Sequence, residues 1–259
     1  MRVILIGANG FVGSAFHRHL AGGGHEVVPV TRASYAAQAG QAADLVIDAA
    51  GNSRKFFAEE KPVEEFPASA GHALRVVHDF PAACHLHISS VDVYANLADP
   101  GATVEQGVVD ITRSSHYGFH KLVAEQVVRH YRPQWLILRL AGMVGPGLRK
   151  NPVFDILHDQ PLRIHPDSQY QFMATADVAK IALGLVESGL RNEIVNVCGD
   201  GLISPGEIAA LAGRTPNLSL LEATARPRIV NVNIDKLRSK VAVPRTRETV
   251  AAFMQEARP

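Results

Sequence analysis

Tyr117 and Lys121 stand four residues apart in Tyr117-Gly118-Phe119-His120-Lys121, and adjacent hydroxyls lie upstream in His87-Ile88-Ser89-Ser90-Val91-Asp92-Val93-Tyr94. A phenol titrates near about 10, so at neutral pH it exchanges protons well only where a neighbour stabilises the phenolate. If residues 117–131 form a helix, four-residue spacing sets Lys121 on the face of Tyr117, where its ammonium supplies that charge. A serine at the end of a strand would hold the oxygen being protonated. The set Ser90, Tyr117 and Lys121 is therefore the catalytic candidate, suited to moving a proton at an oxygen-bearing carbon. Each piece alone is common; their order behind a glycine-rich first turn gives them meaning.

That turn is Gly7-Ala8-Asn9-Gly10-Phe11-Val12-Gly13, a G-x-x-G-x-x-G spacing that follows the apolar run 2–6 and precedes a predicted helix over 11–20. A tight turn, a backbone able to touch a pyrophosphate and a helix amino terminus aimed at its charge are what dinucleotide binding requires. Gly7, Asn9, Gly10, Phe11, Val12 and Gly13 are the residues expected to form it. After the second predicted strand the chain reads Thr31-Arg32, where an acidic residue would hold the ribose hydroxyls of NAD. Arg32 can instead pair with the extra phosphate of NADP, which favours NADP and leaves NAD open. Tyr117 and Lys121 count here too, since the lysine can also reach the nicotinamide ribose.

The elements that must position these groups are apolar strands at 2–6, 26–30, 45–49, 85–88, 135–140 and 194–197, with helical stretches between most of them. The alternation predicts an α/β fold, a doubly wound parallel Rossmann sheet with a small carboxy-terminal substrate lobe. Residues 1–145, with 174–198 returning, form the expected dinucleotide-binding domain; 146–173 and 199–259, where prolines interrupt the pattern, form the lobe. Only twelve residues separate Thr31 from Asp44. That is room for one short crossover and no additional strand. Alanine-rich 33–41 reads as a short helix ended by glycine, with Tyr35 or Gln38 able to wall the adenine.

With 26 basic and 25 acidic residues in 259, charge does not point to nucleic acid or an anionic membrane. A small molecule is the expected partner, and a homodimer is left open. The amino terminus lacks the apolar length of a signal peptide, and Cys84 and Cys198 read as reduced thiols, so a cytoplasmic setting is expected. His116 and His120 share helical spacing but lack a glutamate base and a third ligand, so no metal is expected there. His85 and His87 share one strand face, where a hydrogen-bonded structural role is expected. Ser204-Pro205-Gly206-Glu207 reads as a capped helix start.

The chain resembles the extended short-chain dehydrogenase/reductases, the NAD-dependent epimerase/dehydratase family. The likeness rests on the glycine turn, the Ser89-Ser90-Val91-Asp92-Val93-Tyr94 segment, Tyr117 and Lys121, Leu138-Arg139-Leu140-Ala141-Gly142-Met143-Val144-Gly145-Pro146-Gly147, and Gln171-Phe172-Met173-Ala174-Thr175-Ala176-Asp177-Val178-Ala179. The resemblance implies that Ala49, Ala50 and Gly51, at the end of the third strand, and Leu140 lie against the cofactor. It also implies an oxidoreductase or epimerase acting at a hydroxyl or keto carbon of a sugar-like, nucleotide-linked substrate. Nucleotide-sugar enzymes of the family often carry asparagine at the place of Gly142 and arginine at that of Tyr170; Arg149, Lys150 and Arg163 could replace the charge. Dehydratases carry Asp and Glu where Val91 and Asp92 stand, so full dehydratase chemistry is not expected. The rival reading is a non-catalytic dinucleotide-binding sensor or assembly protein, which has no need of Ser90, Tyr117 and Lys121 together.

Overall fold

The computed structural model describes residues 1–257. In chain order the elements are β1 (Arg2–Ile6), α1 (Gly13–Ala21), β2 (Glu26–Val30), α2 (Tyr35–Gln38), β3 (Ala43–Asp48), α3 (Lys55–Glu60), α4 (Pro62–Asp79), β4 (Ala82–Ser90), α5 (His116–Tyr131) and β5 (Trp135–Leu140). There follow β6 (Gly142–Val144), α6 (Pro152–Leu157), β7 (Phe172–Ala174), α7 (Thr175–Glu187), β8 (Glu193–Val197), α8 (Pro205–Ala212), α9 (Asp235–Arg238) and α10 (Thr246–Glu256). No helix among the described residues is long and apolar enough to cross a membrane.

One compact unit comprises Met1–Ala95, Glu105–Leu140 and Ala179–Val195. Its six-stranded sheet runs β2-β1-β3-β4-β5-β8 and is parallel from β2 through β5. Val3, Ile4, Leu5 and Ile6 are buried because a parallel strand is covered on both faces, and each such side chain contributes about 1.5–3 kcal/mol. Parallel registers such as Ile6 with Asp48 and Ser90 with Leu140 bring the carboxyl ends of β1, β3, β4 and β5 to one edge. The chain reverses its direction of travel across the sheet between β1 and β3, which opens the crevice where α/β sheets bind ligands.

Between β2 and β3 there is one helical turn and no strand, so β2 is the sheet edge. Pro29, which has no amide to donate to a further strand, sits in that edge. Tyr35 is held by its own contacts. Its ring packs edge-on against Phe80 at 5.1 Å and its hydroxyl donates to Asp79 at 2.9 Å, which fastens α2 to the end of α4.

The second unit comprises Asn96–Val104, Ala141–Val178 and the chain from Asn196 onward. Its core gathers Val144, Val153, Ile156, Leu162, Phe172, Ile203, Ile208, Val250 and Met254 around the two-stranded sheet β6-β7. The Gln171 amide stitches this unit internally, donating to the carbonyls of Gly199 and Val232 and accepting from the Val232 amide at 2.7 Å. Gly142 pairs with Phe172, and a Cβ there would lie 2.7 Å from the Gln171 carbonyl and the Phe172 ring. That crowding accounts for glycine at a position where an asparagine side chain has no room.

Candidate active site

The glycine turn is built from contacts that a side chain would prevent. Gly7 has φ +80°, and a Cβ on it would stand 3.0 Å from the backbone of Ala49 and Ala50, so β1 and β3 exit in contact. A Cβ on Gly13 would stand 2.1 Å from the Gly7 carbonyl, so α1 begins directly against the turn. The Gly7 amide donates to the Val30 carbonyl at 2.9 Å, and the Gly10 amide closes back on the Gly7 carbonyl at 2.8 Å. No side chain caps α1, and while the Ser14, Ala15 and Phe16 amides bond back to Gly10 and Val12, the turn and helix start present their positive end without a competing side chain. Phe11 and Val12 are half-buried beside exposed Asn9. After β2, Thr31 and Ser34 exchange hydrogen bonds, including Thr31 amide to Ser34 Oγ at 2.9 Å, and between them Arg32 is exposed without an ion pair among the described residues. This backbone cradle, an uncapped helix and an unengaged guanidinium fit a dinucleotide.

Ser90 ends β4 and pairs in register with Leu140 of β5. Its hydroxyl donates to Asp92 Oδ2 at 2.9 Å and accepts the Asp92 amide at 3.2 Å, while Lys55 Nζ lies 2.5 Å from the same carboxylate oxygen. Ser115 caps α5 by accepting the Gly118 amide at 3.1 Å, which fixes Tyr117 in the first turn. A Cβ on Gly118 would lie 2.0 Å from the Asp92 carbonyl, so glycine lets the start of α5 rest on the turn Val91–Val93. Lys121 follows one helical turn later, with Nζ 6.0 Å from the centre of the Tyr117 ring and 3.4 Å from where a Cβ on Gly51, at φ +101°, would sit. The third-strand exit Ala49, Ala50 and Gly51 thus meets both the glycine turn and the lysine.

The electrostatics differ from the sequence expectation. Burial, then the charges of Asp92 and Glu65, push the Tyr117 phenol up, with only the Ser90 hydrogen bond acting the other way. Lys121 does not lower it here. Burial pushes the lysine itself down, against the opposing pull of Asp48, Glu65 and Glu125. A phenol in this setting holds its proton at neutral pH, the state of a proton donor.

Buried carboxylates fix the inward face of α5. Glu65, from α4, takes hydrogen bonds from Ser69, from Asn52 at 3.2 Å and from His120. Glu125 receives Ser89 at 2.5 Å and a two-pronged bond from Arg139 at 3.0 and 2.7 Å, and the Arg139 guanidinium lies 4.7 Å from the centre of the Tyr94 ring. Sequence reasoning missed Asp92, Glu65, Gly118 and the Glu125–Arg139 pair. The run Tyr117, Lys121, Glu125 at four-residue spacing was the available signal for the last of these. His116 and His120 do not converge: the first is exposed beside Glu59 at 3.5 Å and the second is buried on Glu65. His87 is hydrogen-bonded to Asp48 as expected, but His85 is not bonded at either ring nitrogen, and burial pushes its imidazole down to about 3. In the second unit Arg149, Lys150 and Arg163 are exposed.

A family model described as the NAD dependent epimerase/dehydratase family matches residues 3–198. A search of curated proteins returns no match. Among solved structures, a dTDP-4-dehydrorhamnose reductase from Bacillus anthracis in complex with NADP superposes with a TM-score of 0.78 at 19% identity, over 99% of this chain and 98% of that one. A UDP-galactose 4-epimerase gives 0.79 at 21% identity over 100% of both chains. MoeE5 in complex with UDP-glucose and NAD gives 0.81 at 18% identity over 98% of both. At these identities the superpositions establish the Rossmann-type fold.

Proposed function

The chain belongs to the NAD-dependent epimerase/dehydratase family, and on that footing we propose that it is an NADP-dependent reductase of a keto carbon in a sugar-like, nucleotide-linked substrate. The observation that carries the reading is that Ser90 ends β4, the start of α5 with Tyr117 rests on the turn that follows, and Lys121 of α5 reaches Gly51, all in one unit with the glycine turn. A protein that only bound a dinucleotide would need the turn and not the buried phenol.

The nicotinamide, when bound, supplies or accepts the hydride. The protein's part is the oxygen and its proton. Ser90 holds the substrate oxygen: its hydroxyl rests on Asp92, whose carboxylate also meets Lys55, and turns from that carboxylate to the substrate when the substrate binds. Tyr117, kept protonated by burial and by the adjacent carboxylates, donates its phenolic proton to that oxygen. Lys121 is placed against Gly51 to hold the ribose. Gly7, Asn9, Gly10, Phe11, Val12 and Gly13 would take the pyrophosphate, Ala49, Ala50 and Leu140 would line the cofactor, and Thr31 would fix the turn that offers Arg32 to the NADP phosphate. A phenol that starts protonated and an arginine at the NADP position both favour net reduction over epimerisation. The second unit is assigned to the substrate, with Arg149, Lys150 and Arg163 as the basic groups for its diphosphate. The dTDP-4-dehydrorhamnose reductase and the UDP-galactose 4-epimerase of the same fold are named for nucleotide sugars, and MoeE5 holds UDP-glucose, which supports that substrate class.

The test is oxidation of NADPH, followed by its absorbance, across a panel of nucleoside-diphosphate keto sugars. Turnover that Tyr117→Phe abolishes is expected. Tight dinucleotide binding with neither turnover nor epimerisation across the panel would overturn the reading in favour of a non-catalytic binder.

A further inference from the structure

β3 and β4 run in parallel with Asp48 opposite His87 and Val46 opposite His85, so Asp48, His85 and His87 crowd one face of the sheet. All three are buried, and one donor atom from each lies within 4.8 Å of the others. Asp48 Oδ2 meets His87 Nδ1 at 3.2 Å, and Asp48 Oδ1 meets His72 Nε2, from α4, at 3.1 Å and the Ala50 amide at 3.2 Å. The remaining nitrogens are unanswered. His87 Nε2 and both ring nitrogens of His85 have no hydrogen-bond partner. Buried polar atoms are almost always satisfied, and one imidazole bare at both nitrogens beside a second imidazole and a carboxylate is a donor set that lacks its acceptor.

We propose that Asp48, His85 and His87 bind a single transition-metal dication of the zinc class, through one nitrogen of each histidine and Asp48 Oδ2. Two imidazoles with one carboxylate suit zinc and its neighbours cobalt, nickel and copper, whereas magnesium and calcium demand shells of oxygen. The ligand pair Asp48–His87 stands at 3.2 Å, near the separation of two donors on one ion, and the His85 donor lies within 4.8 Å of both. His72 holds the second carboxylate oxygen, the outer-sphere support common at such centres. The cation would tie β3 and β4 together beneath the Ala49-Ala50-Gly51 exit, independently of whether the chain is a reductase.

The probe is Co2+ added to chelator-treated full-length protein, read by visible d–d absorption and by the zinc-dependent rise in melting temperature. One equivalent should bind, with a low-symmetry spectrum that Zn2+ displaces. His85→Leu and His87→Gln should each weaken binding at least about 100-fold, and His72→Gln about 10–100-fold, while His116→Ala at the surface changes nothing. His72 is less buried, so His72→Gln remains informative if the other two variants do not fold. Unchanged binding in His85→Leu or in His72→Gln, which would place the ion at surface histidines, overturns the proposal. So does wild-type protein that takes up no stoichiometric metal, which would leave the cluster filled by water.

Discussion

The Ser90 hydroxyl donates to Asp92 Oδ2 at 2.9 Å, and the Asp92 amide returns a bond to the same serine oxygen at 3.2 Å. One carboxylate therefore orients the hydroxyl and also raises the Tyr117 phenol. Asp92→Asn keeps the shape and removes the charge. Because a proton donor loses activity as pH rises through its pKa, and the variant lowers that pKa, the alkaline limb of kcat/KM should move to lower pH. A pH–rate profile checks this; an alkaline limb that stays in place would separate Asp92 from the phenol.

Tyr117→Phe removes only the proton-carrying oxygen. Turnover should fall at least about 100-fold, the usual value of general acid–base catalysis, with cofactor affinity within a few-fold of wild type. Steady-state rates beside fluorescence titration of NADPH separate the two effects.

Arg32→Ala removes a charge-assisted partner from a group that NAD lacks. Loss of such a contact, about 1.5–3 kcal/mol, should weaken NADPH about 10–100-fold and leave NADH nearly unchanged. Titration of both cofactors with both proteins provides the comparison, and equal losses would return Arg32 to the role of a surface residue.

Gly118→Ala puts a methyl 2.0 Å from the Asp92 carbonyl, where backbone must yield. Overpacking of this kind costs about 1–3 kcal/mol, and here it also displaces the turn that carries Tyr117. A lower melting temperature together with reduced kcat is expected.

Ser204→Ala breaks a full capping box at the start of α8, in which the serine accepts the Glu207 amide at 3.1 Å and Glu207 accepts the Ser204 amide at 2.8 Å. The loss should be about 1 kcal/mol in denaturant unfolding. The cap bonds, with Arg247 at 2.9 Å, hold the Glu207 carboxyl below its ordinary range. That contribution is present above the unfolded-state pKa and is lost as pH falls through the folded one, so Glu207→Gln and wild type should converge in acid, whereas the Ser204→Ala loss persists because the cap it removes, Ser204 Oγ on the Glu207 amide, does not titrate.

The strands at 2–6, 26–30 and 135–140 were legible because a buried parallel strand writes its apolar run directly into the chain, and the bounds of β1, β2 and β5 coincide with those runs. The shortened crossover was legible for a different reason: chain length is a hard limit, and twelve residues cannot hold a second strand. The glycine turn and the Tyr117–Lys121 face were legible from local pattern, a G-x-x-G-x-x-G spacing in the first case and a helical period in the second.

What the chain could not disclose depends on neighbours distant in sequence. The upward shift of Tyr117 comes first from the cost of burying the phenolate and then from the charges of Asp92 and of Glu65, 52 positions upstream, which the spacing of Tyr117 and Lys121 does not reveal. The packing of Tyr35 on Phe80 and its bond to Asp79 arise because α4 returns to that edge, 44 positions later. His85 looked like one of a bonded pair, and only the register of β3 with β4 shows it bare at both nitrogens beside Asp48. The sequence by itself determined the fold class and the order of its chemical groups, since those follow from local periodicity and sterics. The tertiary structure alone decided their charges and partners, because desolvation and Coulomb energies depend on which distant residues are packed within a few ångströms.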